Sequence, residues 1–172
     1  HLEQAGKVRH FGVSNQNPMM MELLKTAVKQ PLKVNQLQLS AAFTPSFEAG
    51  FHVNMEGPKA AVRDGSVFEY CRLTDTVIQA WSVLQHGYFK GNFVGKEEFA
   101  ALNHVLNDLA KKYKVTPTAI ALAWVLRYPG KMQAVIGTTK PQHVLEAGKA
   151  ATVTLTRKEW YQIYLAAGND LP

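Results

Sequence analysis

The pattern of this 172-residue chain is dominated by four short apolar runs. Each run is preceded or followed by a segment of helical periodicity. The predicted strands are residues 8–13, 34–39, 77–80 and 132–136. Strands that alternate with helices pair in parallel through crossover connections. Four such units are half of a (β/α)8 barrel, and they leave two edge strands without a neighbour. The sequence therefore predicts one domain, 1–172, that is half of a barrel and is completed by further polypeptide or by a second copy.

The predicted helices are marked by their caps and by their apolar faces. Pro18 suits the first turn of a helix, Thr116 and Pro117 open another, and Thr156 and Glu159 have the spacing of a capping box. Residues 67–72, 96–113 and 142–150 complete the predicted helical segments. Residues 1–7 indicate the tail of a helix stopped by Gly6, so we expect the chain to begin in the middle of a larger protein.

The composition excludes several classes of protein. The sequence contains no run of about 18 apolar residues, so no transmembrane helix is predicted. The single Cys71 cannot form an internal disulfide and suits a reducing cytoplasm, and no Cys/His spacing predicts a zinc site. The net charge is +6, but the basic residues are scattered apart from the run 111–114. A nucleic-acid partner is therefore not expected.

Residues 41–65 are rich in Gly, Pro and Phe and have no sustained period. A long connection of this kind is usually functional, and we expect it to form the rim of a pocket. Two interpretations of its aromatic and imidazole side chains remain open. Either these side chains line that pocket, or they anchor an ordered loop to the core. The residues are Phe43, Phe47, Phe51 and His52.

The stretch 76–88 changes character at Trp81. Residues 77–80 indicate a buried strand, and a flat aromatic side chain, a hydroxyl and a glycine follow. Ligands bind at the carboxyl ends of parallel strands, so Trp81 is a candidate wall of a binding site. The alternative is a core tryptophan that precedes a surface loop.

Four stretches at the predicted strand ends resemble the signature stretches of the aldo-keto reductases, in the same order. They are HFGVSN at 10–15, NQ at 35–36, AWSVL at 80–84 and IGTTKPQH at 136–143. The chain is most similar to the bacterial subgroup of predicted oxidoreductases, and the similarity covers the last four β/α units of that family's barrel. It implies a cytoplasmic, NADP(H)-dependent oxidoreductase that reduces aldehydes or ketones to alcohols.

The resemblance implies a nicotinamide site at the first three strand ends. Ser14 and Asn15 match the pair that hydrogen-bonds the carboxamide, and Gln36 matches the third polar contact. Trp81 matches the aromatic residue that stacks on the ring. Such contacts decide which face of the ring transfers hydride.

It also implies contacts along the rest of the cofactor. Ser82, Leu84 and Gly87 match the segment beside the pyrophosphate, and Thr138, Thr139 and Lys140 match the segment near the ribose 2′-phosphate. A hydroxyl and an ammonium group favour NADPH over NADH. His143 stands where the family commonly has arginine, and a histidine can stack but is mostly uncharged at pH 7. Glu146 matches the adenine contact, and Ala147 stands where asparagine is common.

No catalytic residue is assigned to this chain. In the family a tyrosine, tuned by a lysine and an aspartate and assisted by a histidine, protonates the carbonyl, and all four lie on the first four β/α units. The isolated chain should therefore be inactive. The alternative function is a non-catalytic nucleotide-binding module for regulation or assembly, as the potassium-channel beta subunits resemble enzymes while serving a channel.

Overall fold

The computed structural model describes residues 1–51, 66–87 and 90–171, and its sheet has four parallel strands in the order β1-β2-β3-β4. They are β1 Phe11–Ser14, β2 Leu32–Gln38, β3 Val77–Trp81 and β4 Met132–Ala134. The predicted parallel half-barrel is confirmed. The first strand begins at Phe11 rather than at residue 8, because its pairing starts where Phe11 meets Leu32. The last strand is shorter than predicted, although the Val135 N–H still donates to the Ala80 carbonyl at 2.8 Å.

Seven helices surround the sheet within the described ranges, and most begin where the sequence predicts. They are α1 Pro18–Ala27, α2 Pro45–Phe51, α3 Val67–Leu73, α4 Ala100–Tyr113, α5 Pro117–Leu126, α6 Pro141–Gly148 and α7 Arg157–Ala166. The Thr116 hydroxyl accepts the Ala119 N–H at 3.2 Å, and Thr156 and Glu159 form the predicted capping box. A helical turn in residues 1–7 ends at Gly6, whose φ is 67°, and the Lys7 N–H closes it on the Leu2 carbonyl at 3.0 Å. No helix in the described parts of the chain is both long and apolar enough to span a membrane.

The segment predicted as a loop from residue 41 contains α2. Phe47 is only 3% exposed and packs edge-on against Phe68 with ring centroids 5.5 Å apart. Of the two interpretations left open, the structure favours the core anchor for Phe47. His52 and the side chain of Phe51 lie outside the residues described here.

One face of the sheet is closed by helices. The core includes most of α5 together with Leu37 of β2, Leu39 just after that strand, and Ile78 and Ala80 of β3. In the same core Trp124 stacks on a tryptophan of α7, Trp160, at 4.8 Å with ring planes 9° apart. Each indole N–H of this pair donates to the backbone carbonyl of the other residue at 3.0 Å. The pair therefore packs α5 against α7 and leaves neither buried indole N–H without an acceptor.

Glu159 at the start of α7 is 6% exposed and its carboxylate accepts from three residues. Lys112 Nζ lies at 2.5 Å, the Tyr113 hydroxyl at 2.8 Å, and the backbone N–H and hydroxyl of Thr156 at 2.8 Å each. Burial alone would raise the pKa of Glu159, but these hydrogen bonds outweigh it and lower the pKa from 4.5 to about 2. The ionised carboxylate therefore joins α4 to α7.

We predict that Glu159→Gln lowers the free energy of unfolding at pH 7 by about 1–2 kcal/mol. The full pKa shift corresponds to about 3 kcal/mol, but water screens the ion pair because Lys112 is exposed, so the expected loss is smaller. The folded-state pKa is depressed, so this contribution is present above pH about 4.5 and is lost as the pH falls towards 2. Urea unfolding between pH 7 and pH 3 measures it. Glu22→Gln, which removes an exposed ion pair with Lys25, is the control and should cost less than about 0.5 kcal/mol. Equal losses in the two variants would contradict the assignment.

Candidate functional site at the carboxyl edge of the sheet

The register of the sheet brings the predicted site residues to one edge. Ser14 lies opposite Gln36, and two residues further along β2 Gln38 lies opposite Trp81. The chain leaving β4 hydrogen-bonds to β3 through Val135 and continues to Thr138. Neighbouring strands are about 4.8 Å apart, so the four strand ends form one continuous row.

The first two strand ends are joined by hydrogen bonds. The Ser14 hydroxyl donates to the Gln36 carbonyl at 3.1 Å, and the Asn15 backbone N–H donates to the same oxygen at 2.9 Å. The Asn15 side-chain amide donates to the Ser14 hydroxyl at 3.2 Å. Asn15 has φ of 54°, a conformation that asparagine tolerates better than most residues. The predicted carboxamide-binding residues thus form a single cluster.

A ladder of glutamines crosses the face of the sheet that carries this cluster. The Gln36 amide donates to Gln79 Oε1 at 3.3 Å, and the Gln79 amide donates to Gln133 Oε1 at 2.9 Å. Sequence analysis identified only Gln36. The signal for the other two was one polar residue in the middle of each otherwise apolar strand, at positions that the register places opposite one another.

The last two strand ends enclose a cleft of about 550 Å³. Its walls include six of the predicted cofactor residues, which are Trp81, Ser82, Leu84, Thr138, His143 and Glu146. Asn92 and Thr118 add polar groups that sequence analysis missed, because neither lies in a signature stretch. An aromatic face and hydroxyl groups in one elongated cleft suit a nucleotide.

Thr138 organises the start of α6 at one end of this cleft. Its hydroxyl lies 3.4 Å from His143 Nδ1 and accepts the Lys140 backbone N–H at 3.2 Å. Lys140 and Thr139 are exposed on the rim and are not among the residues that line the cleft. Glu146 on the next turn accepts from Gln142 at 2.9 Å. The N–H groups of a helix start and the ammonium group of Lys140 together favour an anion.

Gly87 belongs to the loop after β3 but does not line the cleft. The loop folds back on itself, with the Phe93 N–H donating to the Leu84 carbonyl at 3.0 Å and the His86 N–H to the Gly91 carbonyl at 3.2 Å. Gly87 has φ of 155°, and a Cβ there would lie 2.9 Å from the flexible Lys90 side chain. Its predicted pyrophosphate contact therefore depends on its backbone.

Tyrosine meets lysine at two places in the described chain, and both are on the outer helices. Lys25 Nζ lies 2.6 Å from the Tyr70 hydroxyl, and Tyr113 shares Glu159 with Lys112. Burial, followed by the bond to Glu159, raises the pKa of Tyr113, which opposes proton transfer near neutral pH.

Two other kinds of chemistry depend on the Cys71 thiol and on clusters of metal-ligating side chains. Burial raises the pKa of the Cys71 thiol to about 11, so it is not a nucleophile at neutral pH. Within the residues that the structure describes, no group of three or more His, Cys, Asp or Glu side chains could hold a metal ion. Tyr88 lies outside those residues. Within the residues that the structure describes, the carboxyl edge gathers aromatic and polar groups suited to holding a ligand.

A parallel sheet closed by helices on one face, with a cleft of about 550 Å³ at its carboxyl edge, defines half of a (β/α)8 barrel. The model of the Aldo/keto reductase family matches residues 1–166, and the chain belongs to that family. The family and fold expected from the sequence are confirmed.

Two relatives and two solved structures show the extent of the similarity. The 6-dehydroglucose reductase of Agrobacterium fabrum is 33% identical over 99% of this chain and 50% of its own length. The oxidoreductase YdhF of Escherichia coli is 32% identical over 100% of this chain and 52% of its own. The chain resembles an aldo-keto reductase from Klebsiella pneumoniae in complex with NADPH, with TM-score 0.69, 21% identity and coverage of 94% and 49%. It resembles the thermostable aldo-keto reductase Tm1743 with TM-score 0.68, 19% identity and coverage of 96% and 51%. The chain spans about half the length of the curated relatives it matches.

The first signature stretch also contains a close backbone approach, at Gly12. A Cβ on Gly12 would lie 2.7 Å from Val34 Cβ and 2.8 Å from the Val34 carbonyl oxygen, so β1 and β2 would have to separate. We predict that Gly12→Ala lowers the free energy of unfolding by about 2–3 kcal/mol. Gly137→Ala is the matched control, because no atom lies within 4 Å of the added methyl group. Urea denaturation of both variants measures the difference, and similar midpoints would show that the strands have room for a side chain.

Proposed function

We propose that this chain is the cofactor-binding half of an NADP(H)-dependent oxidoreductase that reduces aldehydes or ketones to alcohols. The observation that carries the proposal is the cleft at the carboxyl edge, where Trp81 and Ser82 on one side face Thr138 and His143 on the other. Membership of an oxidoreductase family supports the class of reaction. When bound, the nicotinamide supplies the hydride that reduces the carbonyl carbon.

The residues of the edge fit such a cofactor by their chemistry. Trp81 offers a flat face for the nicotinamide ring, and the linked hydroxyl and amide groups of Ser14 and Asn15 can hold its carboxamide. Gln36 lies beside them in register and can complete that contact. These side chains would orient the ring, so that hydride leaves from one face only.

The far end of the cleft fits a phosphorylated ribose. Thr138 and Thr139 bring hydroxyl groups to the start of α6, and Lys140 brings an exposed ammonium group. These groups favour the 2′-phosphate of NADPH over the free hydroxyl of NADH. His143 would stack on the adenine, with Glu146 one turn further along the helix.

The proton that completes the reduction would come from outside these residues. The described tyrosines lie on helices or in the turn before β4, and none of them lines the cleft. We therefore propose that polypeptide corresponding to the other half of the relatives supplies the tyrosine, lysine, aspartate and histidine of the family. A second copy of the chain could complete the ring of strands but would not bring that set.

We predict that NADPH quenches the tryptophan fluorescence of this chain and that Trp81→Phe removes most of the quenching. Loss of the larger aromatic face should also weaken NADPH binding about threefold to tenfold in a calorimetric titration. The two other tryptophans, Trp124 and Trp160, are buried against each other and provide the unquenched background. Unchanged quenching in the variant would place the nicotinamide elsewhere.

Discrimination between the two nicotinamide cofactors tests the phosphate end of the cleft. We predict that Lys140→Ala lowers the preference for NADPH over NADH about threefold to tenfold, because it removes one charge-assisted contact with the 2′-phosphate. Lys149→Ala is the matched control, since Lys149 is an exposed lysine just beyond the opposite end of α6. Titration of each variant with both cofactors measures the ratio, and equal effects of the two substitutions would indicate a general influence of charge.

Activity separates the enzyme from the alternative module. The 172-residue chain should bind NADPH but should not oxidise it in the presence of a reactive aldehyde such as 4-nitrobenzaldehyde. Turnover that persists through purification would contradict the proposed division of the barrel. A longer parent protein that binds NADPH without any turnover would favour the regulatory or assembly module.

A further inference from the structure

Gln38, the last residue of β2, carries a buried amide nitrogen that no residue in the described structure pairs. The residue is 7% exposed, and its Nε2 atom has no hydrogen-bond partner. Buried amide groups are normally hydrogen-bonded, because leaving one unpaired sacrifices its contacts with water. An unpaired donor in this position therefore calls for an explanation.

The position of Gln38 relates it to the proposed nicotinamide site. Side chains two residues apart in a strand share a face, so Gln38 follows Gln36 on the face of the glutamine ladder, while Leu37 and Leu39 enter the core. Its Cα is the register partner of the Trp81 Cα. The Ser46 hydroxyl donates to the Gln38 carbonyl at 3.4 Å, so the start of α2 lies over this end of β2. Gln38 is thus beside the aromatic wall and beyond the ladder.

The two glutamines of β2 differ in what their amide groups already do. Gln36 donates to Gln79, which in turn donates to Gln133, so the amides of Gln36 and Gln79 each have a protein acceptor. Gln38 lies about 7 Å further towards the carboxyl edge, at the ligand side of the strand. Its amide nitrogen is a buried donor of β2 that no acceptor in the described residues satisfies.

We propose that the Gln38 amide donates a hydrogen bond to a carbonyl oxygen of the ligand bound against Trp81, and is a further residue that positions the ligand. The inference rests on the proposed function. The oxygen has two possible sources, the carboxamide of the nicotinamide and the carbonyl of the aldehyde or ketone substrate. Both are acceptors that a buried N–H would satisfy, and both would be brought to this edge by a ring stacked on Trp81.

The first experiment compares the unliganded stability of wild type, Gln38→Leu and Gln38→Glu. Leucine replaces the unpaired donor by an apolar group of similar size, so Gln38→Leu should raise the melting temperature by about 2–4 °C. A glutamine retained only for folding would give a lower melting temperature instead, and that result would overturn the proposal. Gln30→Leu is the control, because Gln30 precedes the opposite end of β2 and bonds to Glu3 at 3.0 Å.

The second experiment measures ligand affinity by calorimetry for the same 172-residue chains. If the nicotinamide carboxamide supplies the oxygen, Gln38→Leu and Gln38→Glu each bind NADPH about tenfold more weakly than wild type, whereas Gln30→Leu binds as wild type does. Adenosine 2′,5′-bisphosphate, which lacks the nicotinamide, should bind all four proteins equally. Equal losses for both ligands would identify a structural defect and overturn the proposal.

The two sources of the oxygen give different results. If the substrate supplies it, Gln38→Leu binds NADPH as wild type does but binds benzaldehyde to the NADP⁺ complex about tenfold more weakly. Unchanged affinity for NADPH and for benzaldehyde would overturn the role of Gln38 and leave the proposed function standing. Failure of the wild-type chain to bind NADPH would overturn the proposed function itself.

Discussion

The pairing of β2 with a strand on each side is the constraint on which the rest of the structure depends. β2 joins β1 through the register of Ser14 with Gln36, and joins β3 through the register of Gln38 with Trp81. Because the strands are parallel, their carboxyl ends meet at one edge, where the connections can gather polar groups. A shift of one residue would send Gln36 and Gln38 into the core and the intervening leucine to the ligand side.

The two faces of the sheet have different chemistry, and this difference separates folding from binding. The helical face is closed by an apolar core with the stacked pair Trp124 and Trp160 at its centre. The opposite face carries the glutamine ladder from Gln36 to Gln133. In the described sheet β1 and β4 each pair with a single strand, so their outer edges offer hydrogen-bonding groups to further strands. This arrangement agrees with relatives of about twice the length.

Much of the fold was predictable because its signals are local. Thr116 and Glu159 mark helix starts through bonds to backbone only three residues away, and such spacing is visible in a sequence. Phe47 was not predictable in the same way, since its burial depends on Phe68 in another helix. The end of β4 was also misplaced, because strand ends depend on the extent of the neighbouring strand.

The residues of the candidate site also fall into those that the sequence identified and those that only the structure revealed. The resemblance identified Trp81 and Thr138 as parts of one site, and the fold brings both to one cleft. It did not identify Gln79, Gln133 or the unpaired amide of Gln38. A single polar residue in an apolar strand has no meaning until the register shows what lies beside it.

The sequence by itself determined the order of strands and helices, their caps, the family, and the strand ends at which a ligand would bind. These properties follow from periodicity, from contacts within one turn, and from short signature stretches. Only the tertiary structure decided which polar groups satisfy one another and which donor remains for a ligand. Hydrogen-bond pairing between strands is set by register, and register joins residues that are more than 40 positions apart, such as Gln38 and Trp81.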